Sequence, residues 1–287
     1  MSIKAEHISY TYQKKTPFAN KALTDISLEI KRGSFTGIIG HTGCGKSTLL
    51  QHFNGILMPD EGSIYIDGEK MTEKNVRELR KKVGLVFQYP EYQLFEDTVY
   101  KDVLFGIKKE KISDEEKKQR VLDALDIVGI SPDFADKSIY DLSGGQKRRV
   151  ALAGVIVMQP EYLVLDEPAA GLDPEGRDEI LGYVKRLQEE RGTTIILVSH
   201  SMEDIARLAD HVIVMGSGQK VMDGTVAEIF GRGSELSALG LAVPQITVMW
   251  EELRTLDPEL PDDIYTVEAA AEAIKACIEA HTGGGGT

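Results

Sequence analysis

The sequence predicts an α/β protein with a mixed sheet core, an antiparallel β layer, a helical subdomain and a small C-terminal helical appendage. Two patterns predict this architecture. Period-two apolar alternation recurs between residues 2 and 67, in IKAEHISYTY, LTDISLEI and SIYID, and is typical of antiparallel strands. The near-continuous apolar runs YLVLD and TTIILVS are joined by PEGRDEILGYVKRLQEER, a predicted helix, as in a parallel sheet covered by helices.

The remaining elements follow along the chain. SFTGIIG predicts a short buried strand that enters a glycine-rich loop, and KSTLLQHFNGI predicts the helix after that loop. DEEKKQRVLDALDIVGI has apolar residues at helical spacing, so we expect a helical subdomain over about residues 98–158. HVIVM predicts a further strand.

The character of the chain changes near residue 230. Residues 1–230 hold the predicted sheets and the helical subdomain, and we expect them to form one domain. Residues 231–287 carry ten Asp and Glu against three Lys and Arg, two short helical runs and a terminal GGGG. They predict an acidic helical extension with a disordered glycine-rich end.

Composition excludes several classes of function. The 33 basic and 46 acidic residues give a formal charge of -13, which argues against a broad nucleic-acid-binding face. The opening MSIKAEHIS lacks a signal-peptide apolar run, and nowhere do about 18 apolar residues follow one another, so we expect a cytoplasmic chain. Cys44 and Cys277 make no disulfide framework and no paired metal motif.

The segment GHTGCGKST matches the phosphate-loop pattern G-x-x-x-x-G-K-[ST] between a predicted strand and a predicted helix. Its glycines let successive backbone N–H groups point at phosphate oxygens, and the helix adds its positive dipole end. Lys46 is expected to bridge the β- and γ-phosphates of a nucleotide, and the Ser47 hydroxyl to hold Mg²⁺. The predicted nucleotide-binding residues here are Gly40, His41, Thr42, Gly43, Cys44, Gly45, Lys46, Ser47 and Thr48.

The segment LVLDEP places two carboxylates at the carboxyl end of a buried strand, where ligands bind in open α/β sheets. Asp166 is expected to help hold Mg²⁺, and Glu167 to act as the general base that polarises the attacking water. By itself such an acid pair is more often a solvated turn. The phosphate loop elsewhere in the chain favours the catalytic interpretation.

The segment LSGGQKRRV contains a second glycine pair that opens a helix, and it therefore predicts a second anion site. No second lysine cradle or acid pair accompanies it. The economical interpretation is that this helix end contacts a nucleotide bound to a partner subunit, whereas a simple glycine N-cap would explain only part of the string. The residues concerned are Leu142, Ser143, Gly144, Gly145 and Gln146.

In order and spacing, GHTGCGKST, Gln88, LSGGQ, LVLDEP, GLDP and His200 resemble the ABC-type ATPases, which are P-loop NTPases, over roughly residues 2–230. The resemblance implies a head-to-tail dimer with two ATP molecules, each between one chain's phosphate loop and the other's LSGGQ. It also implies that Tyr12 stacks on adenine, that Gln88 senses Mg²⁺ and the attacking water, and that His200 contacts the γ-phosphate. Asp173 would link the two sites.

Cys44 departs from this pattern, because many relatives have serine there. The backbone amide at this position binds phosphate, so we expect function to survive. A thiol beside a helix N-terminus is expected to be unusually reactive.

The segment QYPEYQLFED resembles the ATPases of energy-coupling factor importers, and the wider sequence looks most like the second ATPase of the pair in those importers. The resemblance implies a paralogous ATPase partner, although a homodimer stays open, together with a membrane scaffold with cytoplasmic coupling helices and a membrane subunit that captures a vitamin or a transition-metal ion. We expect a peripheral protein on the cytoplasmic face of the cell membrane. The identity of the transported substrate cannot be read from this chain.

The segment after Gln88 is predicted to form a groove for the coupling helices, although at least one of its apolar side chains is expected to pack inward. Alternatives are an ATPase of another ABC importer or exporter, or an ABC-type ATPase acting on DNA or ribosomes. Long coiled coils or a second cassette would mark the latter, and neither is present. A partner that binds ATP without turnover is disfavoured by the intact Lys46 and Glu167. The predicted groove residues are Tyr89, Glu91, Tyr92, Gln93, Leu94, Phe95, Glu96 and Asp97.

Overall fold

The structure is a computed structural model that describes residues 1–283, with side chains described up to residue 279. The predicted disorder of the glycine-rich end concerns residues outside this range from residue 284 onward. Within the described residues, no helix combines the length and apolar character needed to cross a bilayer.

Strands and helices follow the predicted order closely. The strands are β1 (Ser2–Tyr12), β2 (Asn20–Lys31), β3 (Phe35–Ile39), β4 (Glu61–Ile66), β5 (Glu69–Lys70), β6 (Val83–Val86), β7 (Tyr162–Asp166), β8 (Thr194–Val198), β9 (His211–Gly216) and β10 (Gln219–Thr225). The α-helices are α1 (Lys46–Phe53), α2 (Val76–Lys82), α3 (Val99–Phe105), α4 (Asp114–Ile127), α5 (Gly144–Ile156), α6 (Pro174–Arg191), α7 (Met202–Leu208), α8 (Val226–Phe230), α9 (Gly233–Ala238), α10 (Gln245–Leu256) and α11 (Val267–Gly283). Short 3₁₀ helices lie at Pro90–Gln93, Pro132–Phe134 and Ile139–Asp141.

The strands form two sheets. The antiparallel sheet has the order β2-β1-β4-β5, and the larger sheet has the order β10-β9-β3-β8-β7-β6. All neighbours in the larger sheet are parallel except β10 and β9. Because β3 and β7 are parallel members of one sheet, the loop after β3 and the acid pair after β7 lie at the same edge.

The larger sheet is covered on both faces. Leu163 and Leu165 of β7 face a core shared with α3 to α8, whereas Tyr162 and Val164 face a core shared with α1 and the antiparallel sheet. The alternation explains why residues 162–165 of this strand are all apolar, since both faces of the strand are buried. The layers hold the strand ends, and the residues that follow them, in fixed positions.

The C-terminal appendage begins later than the sequence suggested. Leu236 and Leu241 are buried in the large core together with α3 to α8, so the residues just after 230 belong to the main domain. A separate small core begins in α10 and contains Trp250, Ile264 and Ala270. The composition change near residue 230 marks a change in charge rather than the end of the main core.

Candidate functional site

The phosphate loop joins β3 to α1 and depends on glycine at two positions. Gly40 and Gly45 have φ values of 155° and 103°. A Cβ at Gly40 would lie 2.4 Å from the carbonyl oxygen of Met215, and one at Gly45 would lie 2.6 Å from that of Ala22. A larger residue at either position would displace backbone, so glycine is required for the loop to curl over the start of α1.

Lys46 opens α1, and its side chain turns back over the loop. The residue is only 6% exposed, and Nζ donates hydrogen bonds to the carbonyl oxygens of Gly40 (2.6 Å) and His41 (3.1 Å). The ammonium group is therefore held beside the backbone N–H groups at the helix start. Together they make a positive cradle suited to phosphate oxygens.

The acid pair lies where β7 ends. Asp166 is 7% exposed, and burial raises its pKa, while a hydrogen bond from Ser47 and the charges of Lys46 and His200 oppose that rise. Glu167 adopts a left-handed backbone conformation, with φ of 51°. This turn directs the two successive carboxylates differently, one toward Ser47 and the other toward Gln88 and His200.

Glu167 is the centre of a three-residue group that the sequence predicted as catalytic. Gln88 Nε2 donates to Glu167 Oε2 over 2.9 Å, and His200 Nε2 lies 2.7 Å from Glu167 Oε1. The three residues come from the ends of β6, β7 and β8, which are neighbouring parallel strands. The carboxylate is thus fixed by one side chain on each side.

Glu167 and its two partners share one cleft of about 600 Å³ with most of the phosphate loop, whereas four residues predicted to bind the chain's own nucleotide or Mg²⁺ do not line it: Gly40, His41, Cys44 and Asp166. The lining of this cleft contains ten predicted residues and five that the sequence did not indicate. The predicted ones are Tyr12, Thr42, Gly43, Gly45, Lys46, Ser47, Thr48, Gln88, Glu167 and His200. The additional ones are Asn20, Lys21, Ala22, Ser217 and Gly218.

The additional residues enter the cleft through tertiary contacts. Gly218, in the turn between β9 and β10, donates its N–H to the carbonyl oxygen of Cys44 over 3.0 Å and accepts from the N–H of Thr24 over 2.8 Å. A Cβ at Gly218 would lie 2.8 Å from the carbonyl oxygen of Ala22. The Ser217–Gly218 pair was recognisable as a turn, but no sequence signal shows that this turn closes against the phosphate loop.

Tyr12 stands at the wall of the cleft. Its hydroxyl lies 3.2 Å from Thr48 Oγ1, and its ring meets the edge of Tyr10 at a centroid distance of 4.9 Å. Tyr10 in turn contacts the ring of His52 at 5.0 Å. The position of the Tyr12 ring is therefore set by two successive edge-to-face ring contacts that end at the buried His52 of α1.

The LSGGQ segment lies apart from this cleft. Ser143 and Gln146 form a capping box at the start of α5, and nothing lies within 4 Å of where a Cβ of Gly144 or Gly145 would stand. None of the five predicted signature residues lines the cleft of the same chain. Asp173 is the N-cap of α6, where it accepts a hydrogen bond from the N–H of Gly176 over 2.9 Å.

Sequence comparison identifies the family. The family model described as ABC transporter matches residues 23–170. The chain belongs to the ABC transporter family. It is 52% identical over 281 residues to the energy-coupling factor transporter ATP-binding protein EcfA2 of Clostridium perfringens, covering 97% of this chain and 99% of that protein. Identity to the protein of the same name from Caldanaerobacter subterraneus is 53% over 276 residues, or 96% of each chain. Within the ABC transporter family, the chain therefore belongs with the energy-coupling factor ATP-binding proteins.

Solved structures agree. The structure of cbiO1 from Clostridium perfringens, described as part of the ABC transporter complex cbiONQ, has a TM-score of 0.74 at 41% identity and covers 87% of this chain and 98% of its own. A dimeric ATP-binding cassette bound to ADP and phosphate has a TM-score of 0.70 at 31% identity, covering 78% and 98%. The predicted ABC-type fold and the resemblance to energy-coupling factor ATPases are confirmed.

The segment after Gln88 of this ABC ATPase is partly exposed and partly internal. Tyr92 and Phe95 are 84% and 59% exposed, and Phe95 packs edge-to-face on Phe105 at 4.8 Å. Leu94 instead packs on the large core, as expected for one of these side chains. Glu91 differs from its predicted place in an outer groove, because its carboxylate binds the buried guanidinium of Arg148 within the chain.

Cys44 is the clearest correction. Its side chain is 1% exposed and belongs to the core between the two sheets, so the expectation of a reactive thiol facing nucleotide was wrong. The motif places the Cys44 backbone at the phosphate loop, but the loop curls so that the side chain points inward. The thiol packs as a small buried side chain in this core, so a bound phosphate would contact the backbone instead.

Proposed function

We propose that this chain binds ATP with Mg²⁺ in the described cleft and hydrolyses it to power import through the membrane subunits of an energy-coupling factor transporter. The observation that carries the proposal is the placement of Glu167. Its carboxylate lies between Gln88 and His200 and directly follows the buried Asp166, at the sheet edge that also holds Lys46.

The loop fits a triphosphate. The N–H groups at the start of α1 and the Lys46 ammonium supply a positive electrostatic field. Gly43 lines the cleft with open space beside it, so that no side chain at this position occupies the space for phosphate. The Ser47 hydroxyl beside the Asp166 carboxylate forms an oxygen donor set of the kind that Mg²⁺ prefers, with substrate phosphates as further ligands. When bound, Mg²⁺ would neutralise phosphate charge.

Glu167 would act as the general base. A water molecule in line with the γ-phosphate would give a proton to Glu167 as its oxygen bonds to phosphorus, and ADP would leave with the electrons of the broken bond. Gln88 would hold the carboxylate and the water in line. His200 lies against the other carboxylate oxygen, and we expect it to contact the γ-phosphate.

A second ATPase chain would complete each site. Gly144 and Gly145 at the start of α5 have open space beside them and do not line the chain's own cleft, which fits a role at the nucleotide of a neighbour. We propose a paralogous ATPase as this neighbour, with a homodimer as the alternative, and a location on the cytoplasmic face of the membrane. The vitamin or metal ion carried would be chosen by the membrane capture subunit.

Glu167→Gln tests the assignment of the base. We expect the variant to bind ATP with unchanged affinity but to hydrolyse it about a hundredfold to ten-thousandfold more slowly, since one positioned catalytic group is lost. Lys46→Ala should instead weaken binding itself. Glu190→Gln, at an exposed position on α6, serves as the matched control. Hydrolysis by the Glu167 variant at the wild-type rate in the assembled complex would show that another group is the base.

A further inference from the structure

Arg148 is a buried arginine outside the ATP cleft that donates hydrogen bonds to several segments of the chain. Its side chain is 5% exposed. Nε and Nη2 donate to the two carboxylate oxygens of Glu91, over 3.0 and 2.6 Å. Nη1 donates to the carbonyl oxygens of Ala170 (2.5 Å) and Pro168 (3.4 Å). The planar guanidinium thus uses its fork geometry to hold a carboxylate and a loop backbone at once.

Arg148 connects three functional segments of the chain, including the helix on which it lies. Glu91 lies three residues after Gln88, and Pro168 to Ala170 directly follow Glu167. Arg148 itself is on α5, about one helical turn after Gly144. A single side chain therefore ties the segment carrying the glutamine and the loop carrying the base to the helix whose start is the LSGGQ segment.

The tied segments have backbone conformations that need support. Tyr89 and Glu167 have φ values of 54° and 51°, in the left-handed region that non-glycine residues rarely adopt. The Arg148 guanidinium also lies 5.7 Å from the centre of the Tyr89 ring. Burial acts to raise the pKa of Glu91, but its hydrogen bonds and the charge of Arg148 act in the opposite direction and outweigh burial, so the pKa of this carboxyl lies below its usual value. Losing either partner would leave the other charge buried and unpaired.

We propose that Arg148 is a positioning residue that, through Glu91 and the Pro168–Ala170 backbone, holds Gln88 and Glu167 in catalytic register with the chain's own LSGGQ helix. This role rests on the proposed function. In a head-to-tail dimer, the LSGGQ segment of one chain serves the ATP of the other, so Arg148 connects the catalytic carboxylate of one site to the anion-binding helix of the second site. Neither Arg148 nor Glu91 lines the ATP cleft. We therefore expect loss of either residue to lower the turnover rate rather than the affinity for nucleotide.

The chain offers a matched control pair. Arg120 is also poorly exposed, at 14%, and donates to the Glu110 carboxylate over 2.6 Å and to the carbonyl oxygen of Val157 over 2.7 Å. This pair also joins a poorly exposed arginine to a carboxylate and a carbonyl oxygen, through one carboxylate hydrogen bond instead of two, and its hydrogen bonds reach neither the residues around Gln88 nor the loop after Glu167. Glu91→Gln is therefore compared with Glu110→Gln, and Arg148→Lys with Arg120→Lys.

The experiment measures kcat and KM for ATP in the purified complex with its membrane subunits, together with the melting temperature of each full-length variant. We expect Glu91→Gln and Arg148→Lys each to lower kcat about tenfold while KM changes less than about twofold, because misplaced catalytic groups slow turnover without removing phosphate contacts. The double variant should lose no more than the single ones, since both act through one interaction. The control pair should keep kcat even where the melting temperature falls equally.

Opposite results separate the possible failures. Equal kcat losses in the test and control pairs at equal melting temperature would overturn the role of Arg148 and leave the proposed function standing. Additive losses in the double variant would show that Glu91 and Arg148 do not act as a unit, and would also overturn it. A wild-type complex that binds but does not hydrolyse ATP would overturn the proposed function, and the positioning role with it.

Discussion

The positions of individual phosphate-loop residues could be predicted where the motif itself requires a particular residue type for phosphate binding. Gly45 and Lys46 have the backbone and charge that phosphate binding requires, and the structure places both where the loop meets α1. Cys44 and Glu91 were not predictable in the same way. The direction of the Cys44 side chain depends on how the loop curls, and the partner of Glu91 is 57 residues away in sequence.

His52 is a residue whose burial has a measurable consequence. It is 0% exposed, Nδ1 lies 2.7 Å from the Thr48 carbonyl oxygen, and Nε2 has no hydrogen-bond partner among the described residues. Burial lowers the pKa of His52, while the Thr48 hydrogen bond and the charge of Asp60 act in the opposite direction. Burial therefore favours the neutral form of this imidazole, which contacts the Tyr10 ring edge-to-face.

We expect this histidine to make stability depend on pH. Because the folded pKa lies below the unfolded value of about 6.5, the unfolded chain takes up the proton first as pH falls, and stability is lost from about pH 6.5 downward. His52→Asn keeps a donor for the Thr48 carbonyl oxygen but does not titrate. Melting temperatures of the wild type and the variant should diverge in slope below about pH 6.5. Parallel slopes would mean that His52 does not contribute.

At the scale of elements, the sequence predicted type and order well because most strands and helices are strongly patterned. The predicted helix PEGRDEILGYVKRLQEER corresponds to α6 over its whole length, with Asp173 as N-cap and Gly192 as C-cap. Residues 231–241 were assigned to the appendage because of their composition. Their leucines, Leu236, Leu239 and Leu241, lie close together among glycines and do not by themselves indicate which core they join, and only the fold shows that Leu236 and Leu241 belong to the large core.

The appendage is expected to unfold before the main domain. Its core contains Trp250, 1% exposed and hydrogen-bonded through Nε1 to the carbonyl oxygen of Pro261 over 2.8 Å. Trp250 is the only tryptophan of the chain, so its fluorescence reports this core directly. Ile264→Ala should destabilise the transition seen by fluorescence by about 2–4 kcal/mol and leave the main circular-dichroism transition and ATP binding unchanged.

Ile180→Ala is the matched control, since Ile180 is 2% exposed in the large core. It should shift the main circular-dichroism transition instead. If fluorescence and circular dichroism move together in both variants, the small core is not an independent unit, and the appendage unfolds cooperatively with the rest.

At the scale of the whole molecule, the membrane partners were inferred from the sequence resemblance and cannot be derived from the fold of this chain. What the fold adds is an exposed aromatic surface on the helical subdomain. Tyr92, Phe95 and Phe105 are all more than half exposed, and Glu96 and Asp97 lie beside them. With Glu91 committed to Arg148, the carboxylates available to an arginine of a partner helix in this segment are Glu96 and Asp97. The exposed surface is the part of the predicted groove that a coupling helix could bury.

Reversing these charges tests that docking surface. The side chain of Asp97 is 86% exposed and lies 3.5 Å from Lys101, a surface pair of small energetic value, so Glu96→Lys with Asp97→Lys should leave the fold intact. We expect ATP affinity of the isolated subunit to change less than about twofold, because neither residue contacts the cleft. Recovery of the membrane subunits on affinity purification, and transport per ATP hydrolysed, should both fall strongly, since a lysine would face the partner's positive charge.

Asp123→Lys with Asp126→Lys, at exposed positions on α4, changes the formal charge equally and should assemble normally. If both double variants assemble and transport alike, the two carboxylates are only solvated surface, and the coupling helix binds elsewhere between residues 89 and 105.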